Sequence, residues 1–257
     1  VLVDQPMVEV KFGLRRLKRF EPRLTGQLVT AVDTRGKAML TRFENGLTLY
    51  SHNQLDGRWY TTKRPALPDT RRQLRVALHT PSQSALLYSA SDIAVLTENQ
   101  LSTHPFLARV GPDILDKDLT PEFVAERLAS KPFRNRGLGG LYLDQSFLAG
   151  NGNYLRSEIL WASQLHPKSR PADLTPAELQ RLARRTLTIA RRSYRTRGVT
   201  APASAARQRK AAGLSYGQRR FQAYGRDGLA CYRCGEPIAR FTMASRSLFA
   251  CPKCQPA

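Results

Sequence analysis

All four cysteines of this 257-residue chain lie after residue 230, where they form two Cys-x-x-Cys pairs. Cys231 and Cys234 make the first pair, and Cys251 and Cys254 make the second after sixteen intervening residues. This spacing predicts a tetrathiolate Zn²⁺ site, which is structural because it leaves no open coordination position. Disulfides or two redox pairs are the alternative. The first residues, VLVDQPMVEVKFG, lack the pattern of a secretory signal, so we expect reduced thiols.

The residues between the two cysteine pairs contain the strand-like run ARFTMASRSLFAC. A hairpin in this position is typical of a zinc ribbon, in which one metal ion joins two short cysteine turns. A unit of this size buries too little apolar surface to fold alone, so the bound metal supplies the folding free energy. We therefore expect one structural Zn²⁺ in a terminal zinc-ribbon finger.

The net charge limits the class of partner. The chain has 41 Lys and Arg residues against 20 Asp and Glu residues, a formal charge of +21, and arginine outnumbers lysine. Such a charge attracts polyanions, and the planar guanidinium group favours phosphate, so nucleic acid is the expected partner. A ribosomal or membrane-surface protein is the alternative. No apolar run is long enough to span a bilayer, and we expect a cytoplasmic, nucleoid-associated monomer.

The first 110 residues or so have the pattern of a β-rich region. Two apolar runs flank Asn45-Gly46, a dipeptide that favours a tight hairpin turn. The pattern recurs later, with alternating residues over 74–78, a turn over 81–84 and a second apolar run over 85–88. Several short strands at this spacing predict a sandwich or a barrel.

From residue 113 onward the pattern becomes helical. Thr120-Pro121 and Thr175-Pro176 each predict a helix start, with the threonine as N-cap and the proline in the first turn. Two further apolar runs, GLGGLYLDQSFLAG and GNYLRSEILWASQL, also favour helices. Residues 181–220 contain twelve basic residues and no acidic one. Their last part, rich in Ala, Gly and Ser, is expected to be mobile, either as a solvated linker or as a loop that orders on nucleic acid.

Four segments resemble a known family of proteins: TRGKAMLTRFENGLTLYSHNQLDGRW, LLYSASDIAVLT, THPFLARVGPD and FRNRGLGGLYLDQSFLAGNGNYLRSEILW. Together with the terminal ribbon, they resemble the formamidopyrimidine-DNA glycosylase and endonuclease VIII family of base-excision repair enzymes, and most closely its bacterial endonuclease VIII branch. The resemblance extends from about residue 10 to the last residue.

The resemblance implies an α+β multidomain fold. Residues 1–112 would form an N-terminal β-sandwich without the first helix of the family. Residues 113–220 would form a helix–two-turn–helix domain with its basic loop, and residues 221–257 the zinc ribbon. The implied activity is that of a bifunctional DNA glycosylase and abasic-site lyase acting on damaged double-stranded DNA. Such an enzyme flips an oxidised pyrimidine out of the duplex, cleaves its glycosidic bond and nicks the strand by β- and δ-elimination. Zinc takes no part in that chemistry.

The resemblance also implies roles for particular residues. Lys37 would contact phosphate and assist β-elimination, and Arg246 would grip the phosphate beside the lesion and assist δ-elimination. Gln54 and Leu55 would enter the gap that the flipped base leaves. Two further DNA contacts would come from Arg109 and Asn153. The residue after Leu55 is an aspartate, where we expect an aromatic residue in the endonuclease VIII pattern, so the opposite-base preference stays open.

In the family, a mature N-terminal Pro-Glu supplies the amine nucleophile and the acid. The sequence here begins VLVDQPMVEV, without that dipeptide at its start. Three explanations are open: a sequence that starts downstream of the mature N-terminus, a catalytically silent DNA-binding protein of the same fold, or a rewired enzyme that uses the Val1 amine or Lys37. We expect the enzyme, with the silent binding protein as the alternative. A basic zinc-ribbon protein acting in translation is a more distant hypothesis.

Overall fold

The computed structural model describes all 257 residues. The chain divides into two compact units, Val1–Arg109 and Val110–Ala257, and each is described by itself. No helix is both long enough and apolar enough to cross a membrane. The expected three-part division at residues 112 and 220 stays a prediction.

The N-terminal unit consists of two four-stranded antiparallel sheets. The first has the strand order β1-β6-β7-β5, and the second has the order β2-β3-β4-β8. The strands are β1 (Glu9–Phe12), β2 (Val29–Arg35), β3 (Ala38–Phe43), β4 (Thr48–His52), β5 (Arg58–Lys63), β6 (Leu74–His79), β7 (Gln83–Tyr88) and β8 (Asp92–Leu96). One core takes buried side chains from both sheets, among them Phe12 and Leu78 from the first and Phe43 and Leu49 from the second. This arrangement confirms the predicted sandwich.

Both predicted hairpins of this unit form. Strands β3 and β4 are joined through Gly46, which has a φ of +77°, a value that glycine adopts without strain. The Asn45 side chain stabilises the same turn, since its Nδ2 donates to the Arg23 carbonyl at 2.8 Å. Strands β6 and β7 pair antiparallel as the alternating residues predicted. Short helices lie at the edges of the unit: a 3₁₀ turn (Arg15–Phe20), α1 (Glu21–Leu24) and α2 (Glu98–Ser102).

The C-terminal unit is helical, with one hairpin at its end. Its helices are α3 (Pro121–Ala129), α4 (Leu138–Leu141), α5 (Asn153–Ser163), α6 (Pro176–Arg195), α7 (Ala203–Ala211) and α8 (Tyr216–Arg220), with a 3₁₀ turn at Pro171–Asp173. Thr120 and Thr175 cap α3 and α6 as predicted, and Thr175 forms a reciprocal capping box with Glu178. Helix α6 buries Leu182, Leu187 and Ile189 on the side that packs against α5 and α3.

The run GLGGLYLDQSFLAG, predicted to be a helix, is helical only over Leu138–Leu141. Side chains further along the run bind the backbone and hold it in turns. The Asp144 carboxylate accepts the Ser146 N–H at 2.7 Å, and the Gln145 amide bonds to both Gly150 and Asn151. Such local bonds compete with the helical backbone ladder, and hydrophobic periodicity alone does not reveal them.

The prediction that the last part of the basic segment is a mobile linker was wrong for this structure, in which residues 203–220 contain α7 and α8. Arg209 of α7 is buried and donates to the Phe221 carbonyl at 3.1 Å and to Gln222 Oε1 at 2.7 Å. Its guanidinium carbon also lies 3.5 Å from the centre of the Tyr232 ring. Tertiary contacts of one arginine thus order a segment whose composition favours mobility. Whether it reorganises on nucleic acid stays a prediction.

The chain ends in the predicted hairpin. Strands β9 (Ala239–Met243) and β10 (Arg246–Ala250) pair antiparallel, with Arg246 opposite Met243. One face of β10 is buried against α5, while most of β9 is exposed.

Candidate nucleic-acid interface and metal centre

The four cysteines converge at the base of the β9–β10 hairpin. Their Sγ atoms all lie within 4.8 Å of one another, and three of the four cysteines are buried. Four thiolates around a tetrahedral Zn²⁺ at about 2.3 Å would lie roughly 3.8 Å apart, so this donor set fits a tetrahedral soft-metal site. The cluster could therefore hold a metal ion, as the Cys-x-x-Cys spacing predicted.

Neighbouring donors stabilise thiolate at this cluster. The amides of Arg233 and Cys254 donate to Cys231 Sγ and Cys251 Sγ at 3.5 and 3.4 Å. The indole N–H of Trp161 donates to Cys231 Sγ at 3.3 Å. Burial raises the pKa of Cys231, but these hydrogen bonds outweigh burial and lower that pKa to about 7. Thiolate is the metal-binding form, so these donors favour metal binding through Cys231. Burial raises the pKa of Cys251 and Cys254, so those two thiols release their protons when a metal binds.

The turn of the hairpin has an unfavourable backbone. Ala244 and Ser245 both have positive φ values, 53° and 57°, which is the pattern of a type I′ turn. Neither residue is glycine or asparagine, so each carries a steric penalty in this conformation. Arg246 follows directly, and its side chain is exposed. The hairpin thus holds an exposed cation next to a strained turn.

Asn153, the first residue of α5, connects that helix to the hairpin. Its Nδ2 donates to the Ser247 carbonyl at 2.8 Å, one residue after Arg246. The N-cap position belongs to Gly152, so Asn153 is not the N-cap residue. The structure therefore places Asn153 beside the strand that begins at Arg246, while the four cysteines lie at the other end of the same hairpin.

Arg156 is the central residue of this contact, and the sequence analysis did not identify it. It is fully buried, and its guanidinium donates to Asn153 Oδ1 and to three carbonyls, those of Gly139, Met243 and Ser247. Burial and the neighbouring charge of Arg246 lower its pKa to about 10, so it stays charged at neutral pH. One side chain thus joins α4, α5 and both hairpin strands.

Glu158, two residues after Arg156 on α5, likewise binds the backbone of a distant segment through its buried charged group. Its buried carboxylate accepts the backbone amides of residues 222–224 at 2.7–3.1 Å and the Thr200 hydroxyl at 2.6 Å. These bonds position the chain that leads into the first cysteine pair. One sequence feature could have identified these two buried residues: Arg156 and Glu158 are charged residues within an otherwise apolar helical run.

In the N-terminal unit, Lys37 lies in the two-residue turn between β2 and β3. Gly36 before it has a φ of +60°, while Arg35 and Ala38 pair across the turn. Ala38 also pairs with His52 on β4. Burial lowers the pKa of His52, Asp92 raises it in part, and the charge of Lys37 lowers it further. The lysine therefore supplies the positive charge at this turn, since the nearby imidazole is neutral at pH 7.

Gln54 and Leu55 lie in the β4–β5 loop, on the other side of His52. The backbone N–H of Gln54 donates to His52 Nδ1 at 3.2 Å, and the Gln54 side-chain oxygen accepts a hydrogen bond from the Ser91 hydroxyl at 2.8 Å. Leu55 is 76% exposed, the most exposed large apolar side chain of the chain. The Asp56 carbonyl accepts from Arg72 Nη1 at 2.5 Å, which holds the loop from its far side. The loop thus presents an apolar tip from a fixed base.

Arg109 is the last residue of the N-terminal unit, and its side chain is exposed. Its Nε donates to the Pro105 carbonyl at 2.9 Å, four residues earlier. The predicted residues therefore form two groups in the separate units, with Lys37, Gln54 and Leu55 around His52 in one and Asn153, Arg246 and the cysteines in the other.

Comparison with known proteins finds a family match in each of the two units. Residues 2–91 match the formamidopyrimidine-DNA glycosylase N-terminal domain, and residues 110–203 match the formamidopyrimidine-DNA glycosylase H2TH domain. The solved structure of Lactococcus lactis formamidopyrimidine-DNA glycosylase, bound non-covalently to DNA with an abasic site, superposes with a TM-score of 0.80. That match covers 100% of this chain and 94% of the other at 20% identity, so it shows the shared fold.

Sequence relatives are much closer. Endonuclease 8 of Salmonella arizonae is 52% identical over 249 residues, which covers 97% of this chain and 91% of the relative. Endonuclease 8 of Salmonella typhimurium is 53% identical over 251 residues, which covers 98% and 92%. At this identity and coverage, the chain belongs to the formamidopyrimidine-DNA glycosylase and endonuclease VIII family.

Proposed function

We propose that this protein is a base-excision DNA glycosylase with abasic-site lyase activity, which removes oxidised pyrimidines from duplex DNA and nicks the strand by β,δ-elimination. The observation that carries the proposal is the 52% identity to an endonuclease 8 over 97% of the chain. Identity along nearly the whole chain favours the enzyme over a catalytically silent DNA-binding protein, because both groups of predicted site residues fall within the matched length.

The hairpin end of the C-terminal unit is suited to hold a DNA backbone. Arg246 offers an exposed guanidinium, and the amides at the start of α5 follow a glycine-rich turn. Arginine forks and helix N-termini are common phosphate-binding groups. In the proposed reaction Arg246 binds the phosphate beside the lesion and assists δ-elimination, while Asn153 positions the strand that carries it.

The N-terminal turns are suited to the flipped nucleotide. A base that leaves the duplex costs a few kcal/mol of stacking and pairing, which an inserted side chain offsets in part. Leu55 is the exposed apolar group for that gap, and Gln54 beside it offers an amide to the unpaired base. Lys37 contacts phosphate near the sugar and donates a proton during β-elimination. Arg109 adds a further backbone contact.

We also propose that the metal held by Cys231, Cys234, Cys251 and Cys254 is one Zn²⁺ with a structural role. Four thiolate donors leave it no open position, so the ion stabilises the base of the hairpin and takes no part in bond cleavage. The protein acts as a monomer on damaged double-stranded DNA, in the bacterial cytoplasm at the nucleoid. The net charge of +21 supports the nucleic-acid partner.

The test uses protein expressed from its own gene and duplexes that carry 5-hydroxyuracil or an abasic site. We expect strand nicking and a borohydride-trapped covalent adduct on both duplexes, and neither on undamaged DNA. Arg246→Ala should stop more of the product at the β-elimination stage, and Arg240→Ala, which changes an exposed arginine of β9, is the matched control. Binding to damaged DNA without nicking or a trapped adduct would instead establish the silent binding protein.

A further inference from the structure

A cavity of about 240 Å³ lies in the C-terminal unit between α5 and α6, away from the start of α5. Three arginines line it, Arg185 and Arg192 from α6 and Arg233 from the turn of the first cysteine pair. The remaining lining comes from Glu158, Trp161, Ala162, Ile189, Thr200, Pro202 and Gln222. We call this cavity the arginine pocket. It has space for about eight water molecules or for a hydrated oxyanion.

The charges of the arginine pocket are not balanced by the protein. Glu158 is its one acidic residue, and both carboxylate oxygens are already occupied by backbone amides and the Thr200 hydroxyl. Three guanidinium groups against one carboxylate leave a net charge of +2 on the lining. The charge of Arg185 disfavours the charged form of Arg192, so an anion in the pocket would relieve the repulsion between these two side chains.

The three arginines differ in what else they bind. Arg192 donates to the Thr200 carbonyl at 2.8 Å, and Arg233 approaches the Trp161 carbonyl at 3.5 Å while stacking 4.6 Å from its ring centre. No hydrogen bond or ion pair joins the Arg185 side chain to another group of the protein. Burial lowers the pKa of Arg192, and the charges of Arg185 and Arg195 lower it further. Arg192 and Arg233 are thus engaged by protein groups, whereas Arg185 is exposed and its N–H donors are open to solvent or to a ligand.

We infer that the arginine pocket binds a phosphate group, with Arg185 and Arg192 as ligands and Arg233 held in place by Trp161. Guanidinium groups bind phosphate oxygens through two parallel charge-assisted hydrogen bonds, which suits a pocket with unused N–H donors. The phosphate belongs either to a small polyphosphate compound or to the backbone of a nucleic acid. This site is distinct from the Arg246 and Asn153 groups used in the proposed function, so the two proposals can fail separately.

Trp161 reports on the pocket, and the chain has only one other tryptophan, Trp59 in the N-terminal unit. In a Trp59→Phe background, inorganic pyrophosphate is titrated at constant ionic strength while Trp161 fluorescence and binding heat are recorded. Arg185→Gln should weaken binding about tenfold, the effect of one lost charge-assisted hydrogen bond. Arg184→Gln is the matched control, because Arg184 and Arg185 are adjacent exposed arginines of the same helix and only Arg185 lines the pocket. That control should change binding less than about twofold.

A second arm distinguishes the two sources of phosphate. Binding of undamaged duplex DNA is measured over a range of salt concentrations for the two variants. If a backbone phosphate occupies the pocket, Arg185→Gln lowers the salt slope by about one relative to Arg184→Gln. A response to pyrophosphate alone identifies a small phosphate compound. The proposal is overturned if pyrophosphate binding and the salt slope are the same in both variants. Thermal unfolding measured alongside verifies that both variants are folded.

Discussion

Two hairpin turns in this protein each place one cation at a two-residue connection, and they are supported in different ways. The Lys37 turn joins β2 and β3 of a four-stranded sheet, whose strands share a core with a second sheet. The Arg246 hairpin is two strands alone, with β9 largely exposed. A two-stranded hairpin is marginal in water, so the second one depends on groups outside its own strands.

The two turns also differ in which residues adopt positive φ values. At the Lys37 turn, the positive φ falls on Gly36, where it causes no strain. At the other turn, it falls on Ala244 and Ser245, where it is unfavourable by roughly 1–2 kcal/mol per residue. The four cysteines at the hairpin base and Arg156 along its side oppose that strain. The Lys37 turn is thus supported by its own sheet, whereas the Arg246 hairpin is flanked by a candidate metal site and a buried arginine.

The largest expected effect comes from breaking the metal site. Cys251→Ser should disorder β9 and β10 and abolish DNA binding, because a ribbon of this size takes its folding free energy from the metal. Hydrogen exchange should show lost protection over 239–250, while α6 and the N-terminal unit stay protected. Lys253→Ala, which lies between two cysteines, is the control. Normal protection of the hairpin and unchanged DNA affinity in Cys251→Ser would contradict the positional role of the metal.

Replacing Arg156 tests how much this buried arginine stabilises the β9–β10 hairpin. Arg156→Met should lower the stability of the hairpin and its contact with α5 by about 3 kcal/mol, because three backbone carbonyls lose a charged donor in a buried site. Arg156→Lys should recover only part of this, since an ammonium group does not span the same acceptors. Hydrogen exchange of β10 measures the effect. Equal stability of the methionine variant and the wild type would show that packing alone holds the hairpin.

Exchanging glycine between the two turns should have opposite effects. Ser245→Gly should stabilise its hairpin by up to about 1 kcal/mol, because glycine adopts the positive φ without steric conflict. Gly36→Ala should destabilise the β2–β3 turn by about as much. Local exchange rates of the flanking amides measure both changes. If Ser245→Gly leaves the exchange of β9 and β10 unchanged, the turn carries no strain.

The smallest effect is expected from pH, and it concerns the N-terminal unit. Burial lowers the pKa of His52 and of His79, so the unfolded chain binds more protons than the folded unit below the ordinary histidine pKa of about 6.5. Stability of this unit should therefore fall as the pH drops below that value and stay level above it. Thermal unfolding of His52→Asn and wild type at pH 5 and 7.5 checks this. A wild type that is more stable at pH 5 would contradict the direction.

Much of the fold was predictable because it rests on local signals. The Asn45-Gly46 turn, the threonine N-caps of α3 and α6 and the strands of the cysteine hairpin depend on neighbouring residues, and the structure has all of them. The candidate site was predictable only in part. The spacing of the cysteines indicated a metal ligand set, while Lys37, Gln54, Leu55, Arg109, Asn153 and Arg246 came from resemblance, and their roles stay predictions.

Sequence by itself determined that the last residues carry a possible metal-ligand set, that the first 110 residues or so are rich in strands and that the chain is strongly basic, since these follow from spacing, periodicity and net charge. Tertiary structure alone decided that Arg156 and Glu158 would be buried on α5, that Arg209 would order the basic segment and that Arg185 would be left facing a cavity. The physical reason is that a buried charge is determined by which distant carbonyls, amides and rings surround it. The hairpin carbonyls that bind Arg156 and the amides of residues 222 and 223 that bind Glu158 are 64–91 residues away, beyond the range of any local pattern.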